Sequence, residues 1–140
     1  MPDQKTKILI SGNPEVLASC KDLLDKMPQW SGYYSSDGDS LLQDAIKCAP
    51  DIIFIDLLMP QVSADEMIRK IKSLPTFRRT AILTYYVPNP VAKDHFAIRA
   101  QMMSVQYMKS ATEEAGAKEY LGAFNPNLFI DLINFYRKDP

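Results

Sequence analysis

A chain of 140 residues, 46% hydrophobic and 24% charged, has the length of one domain with a single core and a composition that argues against disorder. A formal net charge of −1 supplies no basic excess for a phosphate backbone, which disfavours nucleic-acid binding by this domain. No apolar run nears the ~20 residues that span a bilayer, and the amino end leads into a short strand pattern where a signal peptide would have its core, so a cytoplasmic protein is expected.

Lys7 to Ile10 predicts a first strand, and Ser11-Gly12-Asn13-Pro14 then reads as a turn and helix start, with Asn13 as N-cap and Pro14 at the first helical position. Val16, Leu17, Cys20, Leu23, Leu24 and Met27 recur at helical spacing up to Pro28. Trp30 to Ser35 predicts a second strand and Asp37-Gly38-Asp39 a turn; Leu41, Leu42, Ala45 and Ile46 form the stripe of a second helix ending near Cys48. Cys20 and Cys48 fall within these helical patterns without metal or redox spacing and read as packing thiols. Ile52 to Ile55 is apolar without alternation, as expected of a strand covered on both faces. Asp56 follows it directly, where an open α/β sheet gathers its ligands.

Ser63 to Leu74 predicts a third helix, stopped by Pro75, and Ala81 to Tyr85 a fourth strand. After the Pro88-Asn89-Pro90 break, Val91 to Met103 predicts helix four and Val105 to Met108 strand five. The stretch from Ser110 to Ala123 is longer than an ordinary connection. Its Ser110-Ala111-Thr112-Glu113 capping-box pattern and the closing Gly122 predict an extra helix there. Leu128, Phe129, Leu132, Ile133 and Tyr136 mark the last helix. Strands alternating with helices long enough for right-handed crossovers predict a doubly wound, five-stranded parallel sheet in a three-layer sandwich. The expectation is one domain over residues 1–140, with an insertion at about 110–123.

In this arrangement four strand ends meet on one edge: Ser11 and Gly12, then Asp56, Thr84 and Lys109. A carboxylate, a hydroxyl and an ammonium could form and hold an acyl phosphate, although each alone also reads as a loop acid, a strand threonine or a solvated lysine. His95 lies on helix four without a matching nucleophile or ligand and reads as a surface or interface residue. That helix carries two apolar stripes, one of Phe96, Ala97, Ala100 and Met103 and another of Val91, His95, Ile98 and Met102. One stripe is expected to cover the sheet, and the second to meet a partner or the inserted segment.

The motif Asp56-Leu57-Leu58-Met59-Pro60 resembles the D-x-x-M-P of response regulator receiver domains, the phosphoaccepting modules of two-component signalling. Ala81-Ile82-Leu83-Thr84 resembles the strand that ends in the family's phosphoryl-contacting hydroxyl, Tyr107-Met108-Lys109 the strand leading to its lysine, and Phe124-Asn125-Pro126 the start of its last helix. The resemblance spans nearly the whole chain. It implies a flavodoxin-like sandwich of strand order 2-1-3-4-5, with Asp56 as phosphoacceptor equivalent and Thr84 and Lys109 as phosphoryl contacts.

The departures bear on function. Where the family carries two magnesium-binding acids after strand one, this chain has Ser11 and Gly12. Tyr85 replaces the small residue after the hydroxyl, Ser110 stands where a proline follows the lysine, and Gln106 holds the place of the switch aromatic. The reading is an atypical receiver, not an enzyme, that needs no cofactor and acts on a signalling partner or histidine kinase or as a homodimer through its helix 4-strand 5-helix 5 face. Two alternatives stand beside it: a true phosphoacceptor with magnesium held by Asp56, the Leu58 carbonyl and water, and a flavodoxin-like domain that binds a small ligand.

Overall fold

Five parallel strands form one sheet in the order β2-β1-β3-β4-β5. They are β1 (Thr6–Ser11), β2 (Trp30–Ser35), β3 (Ile52–Asp56), β4 (Ala81–Tyr86) and β5 (Glu119–Ala123). The helices between and after them are α1 (Pro14–Leu24), α2 (Leu41–Cys48), α3 (Ala64–Lys72), α4 (His95–Ala115) and α5 (Pro126–Tyr136). This computed structural model describes residues 5–36, 38–59, 62–88 and 94–137. Expectations placed on Asp37, Pro60, Asn89, Pro90 and Val91 lie outside the described residues.

Local chemistry starts the helices. Asn13 Oδ1 accepts the Val16 N–H at 2.9 Å with Pro14 in the first turn, and Asn125 Oδ1 accepts the Asn127 N–H at 3.0 Å ahead of Pro126. Two cores then sandwich the sheet. On one face Val16, Cys20 and Leu24 of α1 and Phe129 and Ile133 of α5 pack on Ile8, Ile10, Phe54, Leu83 and Tyr85. On the other, Leu41 and Ala45 of α2 and Ala64, Met67, Ile68 and Ile71 of α3 cover Leu9, Ile53, Ile55 and Ile82. The central β3 is buried on both faces, as its unbroken apolar run requires.

The carboxyl-terminal third departs from the sequence expectation. Val105 to Met108 is not strand five but the middle of α4, which runs 21 residues from its Asp94 N-cap to Gly116. Residues 110–123 are therefore not an insertion, since they complete α4 and supply β5. The Ser110-Ala111-Thr112-Glu113 pattern caps nothing, because it lies inside the helix, where buried Thr112 returns its hydroxyl to the Met108 and Lys109 carbonyls. Gly116, at φ 123°, ends α4 in a conformation that side chains disfavour. Gly122, at φ 83°, falls in β5 near the shift in its pairing with β4 rather than closing a helix.

Candidate functional site

The crevice at the carboxyl edge of the sheet is built by the ends of β1, β3 and β4. Asp56, the last residue of β3, is half-buried and pairs in register with Tyr85; Ile55 pairs with Thr84. The Asp56 carboxylate accepts the Leu58 N–H at 2.9 Å, and the Leu57 N–H reaches the Tyr85 carbonyl at 2.7 Å, which fixes the first turn of the loop.

Tyr85 decides how much room remains. Its ring is fully buried and meets Phe129 edge-on at 5.3 Å and Phe124 tilted at 5.8 Å, while Phe129 stacks on Phe54 at 4.1 Å. From that aromatic seat its hydroxyl crosses β3 and donates to the Ser11 carbonyl at 2.5 Å. A methyl group built on Gly12 would run into the same hydroxyl and into Val16. The ends of β1 and β4 are thus closed against each other by a phenol.

Burial pushes the Asp56 carboxyl upward, and the Leu58 N–H offsets this only in part. Burial, followed by the nearby Asp56 charge, pushes the Tyr85 phenol upward, so its proton stays on the bond to Ser11. No ion pair to Asp56 exists among the described residues. Thr84 is completely buried, and its hydroxyl has no hydrogen-bond partner among the described residues.

Lys109 does not join this group. Expected after strand five, it sits on α4, with its ammonium 5.7 Å from the centre of the Tyr120 ring. The residues that do follow β4's outer neighbour are Phe124-Asn125-Pro126, so β5 ends at Ala123 without a lysine. Ser11 is buried and Gly12 half-buried at the crevice, as the end of β1 requires. His95, Ile98 and Met102 lie on exposed parts of α4 remote in sequence from Asp56, and Val91 lies outside the described residues.

Magnesium, which receivers use, favours several hard oxygen ligands in an octahedron. Among the described residues that build the crevice, the one carboxylate is Asp56, beside a phenol already committed to Ser11. No cluster of three metal-ligating side chains occurs among the described residues, so the side chains present do not fit the ion.

Neither stripe read from the sequence covers the sheet. The half-buried residues of α4 are Ala97, Gln101, Val105, Met108, Lys109, Ala111 and Ala115, with buried Thr112 among them, a helical face interrupted by polar side chains. Phe96, Met103 and Tyr107 are 89%, 66% and 72% exposed, and Met102 and Ile98 are 66% and 43% exposed.

No family model matches the chain. Over 81 residues, 58% of its length, it is 26% identical to the sensor histidine kinase TmoS of Ectopseudomonas mendocina, and it spans only 8% of that kinase. The chemotaxis response regulator CheY4 of Vibrio cholerae superposes with a TM-score of 0.74 at 18% identity, covering 95% of this chain and 99% of the other. The receiver domain of a Pseudomonas aeruginosa sensor histidine kinase, solved with magnesium in its active-site cleft, gives a TM-score of 0.68 at 16% identity over 95% and 98% of the two chains. At such identities the likeness is one of fold: this chain has the flavodoxin-like sandwich of response regulator receiver domains, with the same 2-1-3-4-5 sheet.

Proposed function

We propose that this chain is an atypical receiver module of a two-component-type signalling system, with phosphorylation at Asp56 weak or absent and its output carried by protein contact. The observation that carries the reading is the Tyr85 hydroxyl bound to the Ser11 carbonyl beside Gly12, in the space where a metal-binding acid and an incoming phosphoryl group would both have to fit. The missing counter-charges support it. Ser11 and Gly12 stand where the family has acids, and Ala123 and Phe124 stand where strand five should hand over to a lysine. Charge developing on a transferred phosphoryl group would be poorly offset. Catalysis by the module itself is disfavoured, because no acid–base or nucleophile–base pair gathers around Asp56 among the described residues.

The contact surface is α4, and its occupant is a second copy of the chain. Phe96, Ala100, Met103 and Tyr107 follow one another at alternating four- and three-residue steps, the spacing of a helix–helix seam. The order is self-complementary. In an antiparallel pair each Phe96 faces a Tyr107, and each Ala100 faces a Met103, so large groups meet and the small alanine makes room for methionine. Ile98, Met102 and His95 belong to the other exposed stripe of α4, on roughly the opposite side of the helix at ~100° per residue, and lie outside this seam. Light scattering across a concentration series is expected to show a dimer that Tyr107→Glu abolishes and Asp56→Asn leaves intact. A wild type that stays monomeric, or a dimer indifferent to Tyr107→Glu, overturns the proposed surface.

A further inference from the structure

Edge strand β2 packs unevenly on the two faces of the sheet. Trp30 and Tyr34 enter the core beneath α1 and α5, but β2 places no residue in the core beneath α2. Strand alternation gives that second face Ser31, Tyr33 and Ser35, none of them aliphatic. α2 is short and buries only Leu41 and Ala45, so it covers the neighbouring strands and leaves the edge open. The result is a cavity of about 360 Å³ between β1, β2 and α2, on the side of the sheet opposite to the Tyr85 aromatic cluster. Its volume is that of a small-ligand site.

The lining has a definite chemistry. Tyr33, 38% exposed, and Tyr34 supply aromatic walls, Cys48 closes one side, and fully buried Leu9 lies behind them. Lys7 from β1 and Lys47 from α2 both line the same space, and neither forms an ion pair among the described residues. One carboxylate, Asp44, also lines it and accepts the Ser40 hydroxyl at 3.4 Å, which leaves a positive excess. Burial pushes the Cys48 thiol upward, with smaller opposing influences from the Lys7 and Asp44 charges. Two unpaired cations beside aromatic walls favour a ligand that brings a negative group to the lysines and a flat ring to the tyrosine.

We propose that this cavity binds a small aromatic anion, with its ring against Tyr33 and its carboxylate or phosphate toward Lys7 and Lys47. The site does not depend on the receiver reading, since it lies away from Asp56 and requires neither phosphate transfer nor dimerisation.

The test is a titration of the isotopically labelled chain with 2-naphthoate, followed through the amide resonances. Saturable shifts are expected at Leu9, Tyr33 and Cys48, with the neutral 2-naphthamide binding about tenfold or more weakly because it forfeits the charge-assisted contacts. Naphthyl phosphate run alongside decides which anionic group the lysines prefer. Lys7→Gln with Lys47→Gln, both at exposed positions, should weaken naphthoate by a similar factor without moving distant resonances. Absent saturation, equal binding of the amide, indifference to the double substitution, or shifts centred on α4 would each overturn the site.

Discussion

The hydroxyl of Tyr85, on β4, donates to the backbone carbonyl of Ser11, on β1, at 2.5 Å, and so ties two strand ends with a third strand lying between them. The bond joins residues 74 apart in the chain and lies fully inside the protein. It gives the crevice beside Asp56 a structural occupant.

The tie predicts a coupled pair of substitutions. Tyr85→Phe should cost about 1–3 kcal/mol, since the Ser11 carbonyl loses its donor in a buried setting. Gly12→Ala should cost about 1–3 kcal/mol by overpacking against the Tyr85 hydroxyl and Val16. Combined, they should cost clearly less than the sum, because removing the hydroxyl makes room for the methyl. Urea denaturation of the four proteins measures this, and simple additivity would show that the hydroxyl and Gly12 do not compete for space.

Thr84 makes the opposite kind of prediction. Its buried hydroxyl has no partner among the described residues, so it bears a desolvation cost without a compensating bond. Thr84→Val is expected to be neutral or to stabilise by about 1 kcal/mol. A loss of stability in thermal or urea melts would show that the hydroxyl has a partner.

Asp56 carries a pH signature. Its carboxyl is raised by burial, so the native state keeps this proton at pH values where the unfolded chain has released it. Stability attributable to Asp56 therefore falls as pH rises from the ordinary carboxylate range through the raised native value. Relative to wild type, Asp56→Asn should be neutral at the acid end and stabilising above that window, with the asparagine carbonyl still able to accept the Leu58 N–H. Lys109→Ala should leave the midpoint of this difference in place and cost only about 0.5–1 kcal/mol, the worth of a half-exposed cation over Tyr120. A shift of the midpoint on Lys109→Ala would put that lysine back beside Asp56.

The sequence made β1, β3 and β4 legible because each holds an apolar run bounded by turn or helix-start chemistry, with β3 buried on both faces, and β2 because its aromatic residues lie between Pro28 and the turn at Gly38. It misled at α4 and β5. Val105-Gln106-Tyr107-Met108 has the β-branched and aromatic content of a strand, whereas the inward face of α4 passes through Gln101 and Thr112 and shows no clean apolar stripe. The true strand, Glu119-Tyr120-Leu121-Gly122-Ala123, is a half-exposed edge with a glycine inside it, and such strands advertise themselves weakly. Gly116 was the available signal, as a helix stop just ahead of that edge.

The same error displaced Lys109. Ser11, Gly12, Asp56 and Thr84 sit at the ends of the well-read strands and do share one edge, while Lys109 was placed by a strand that does not exist. The size of Tyr85 already pointed to a narrowed crevice. Its bond to Ser11 could not be read, because a contact across another strand depends on sheet order and on the angle at which Phe124 and Phe129 hold the ring.

The central claim is that Asp56 does not take up phosphate readily. Incubation of the chain with acetyl phosphate and magnesium, followed by intact-mass measurement, tests it most directly. The account predicts unmodified mass for the wild type, and a stoichiometric phosphoryl adduct that disappears in Asp56→Asn would contradict it.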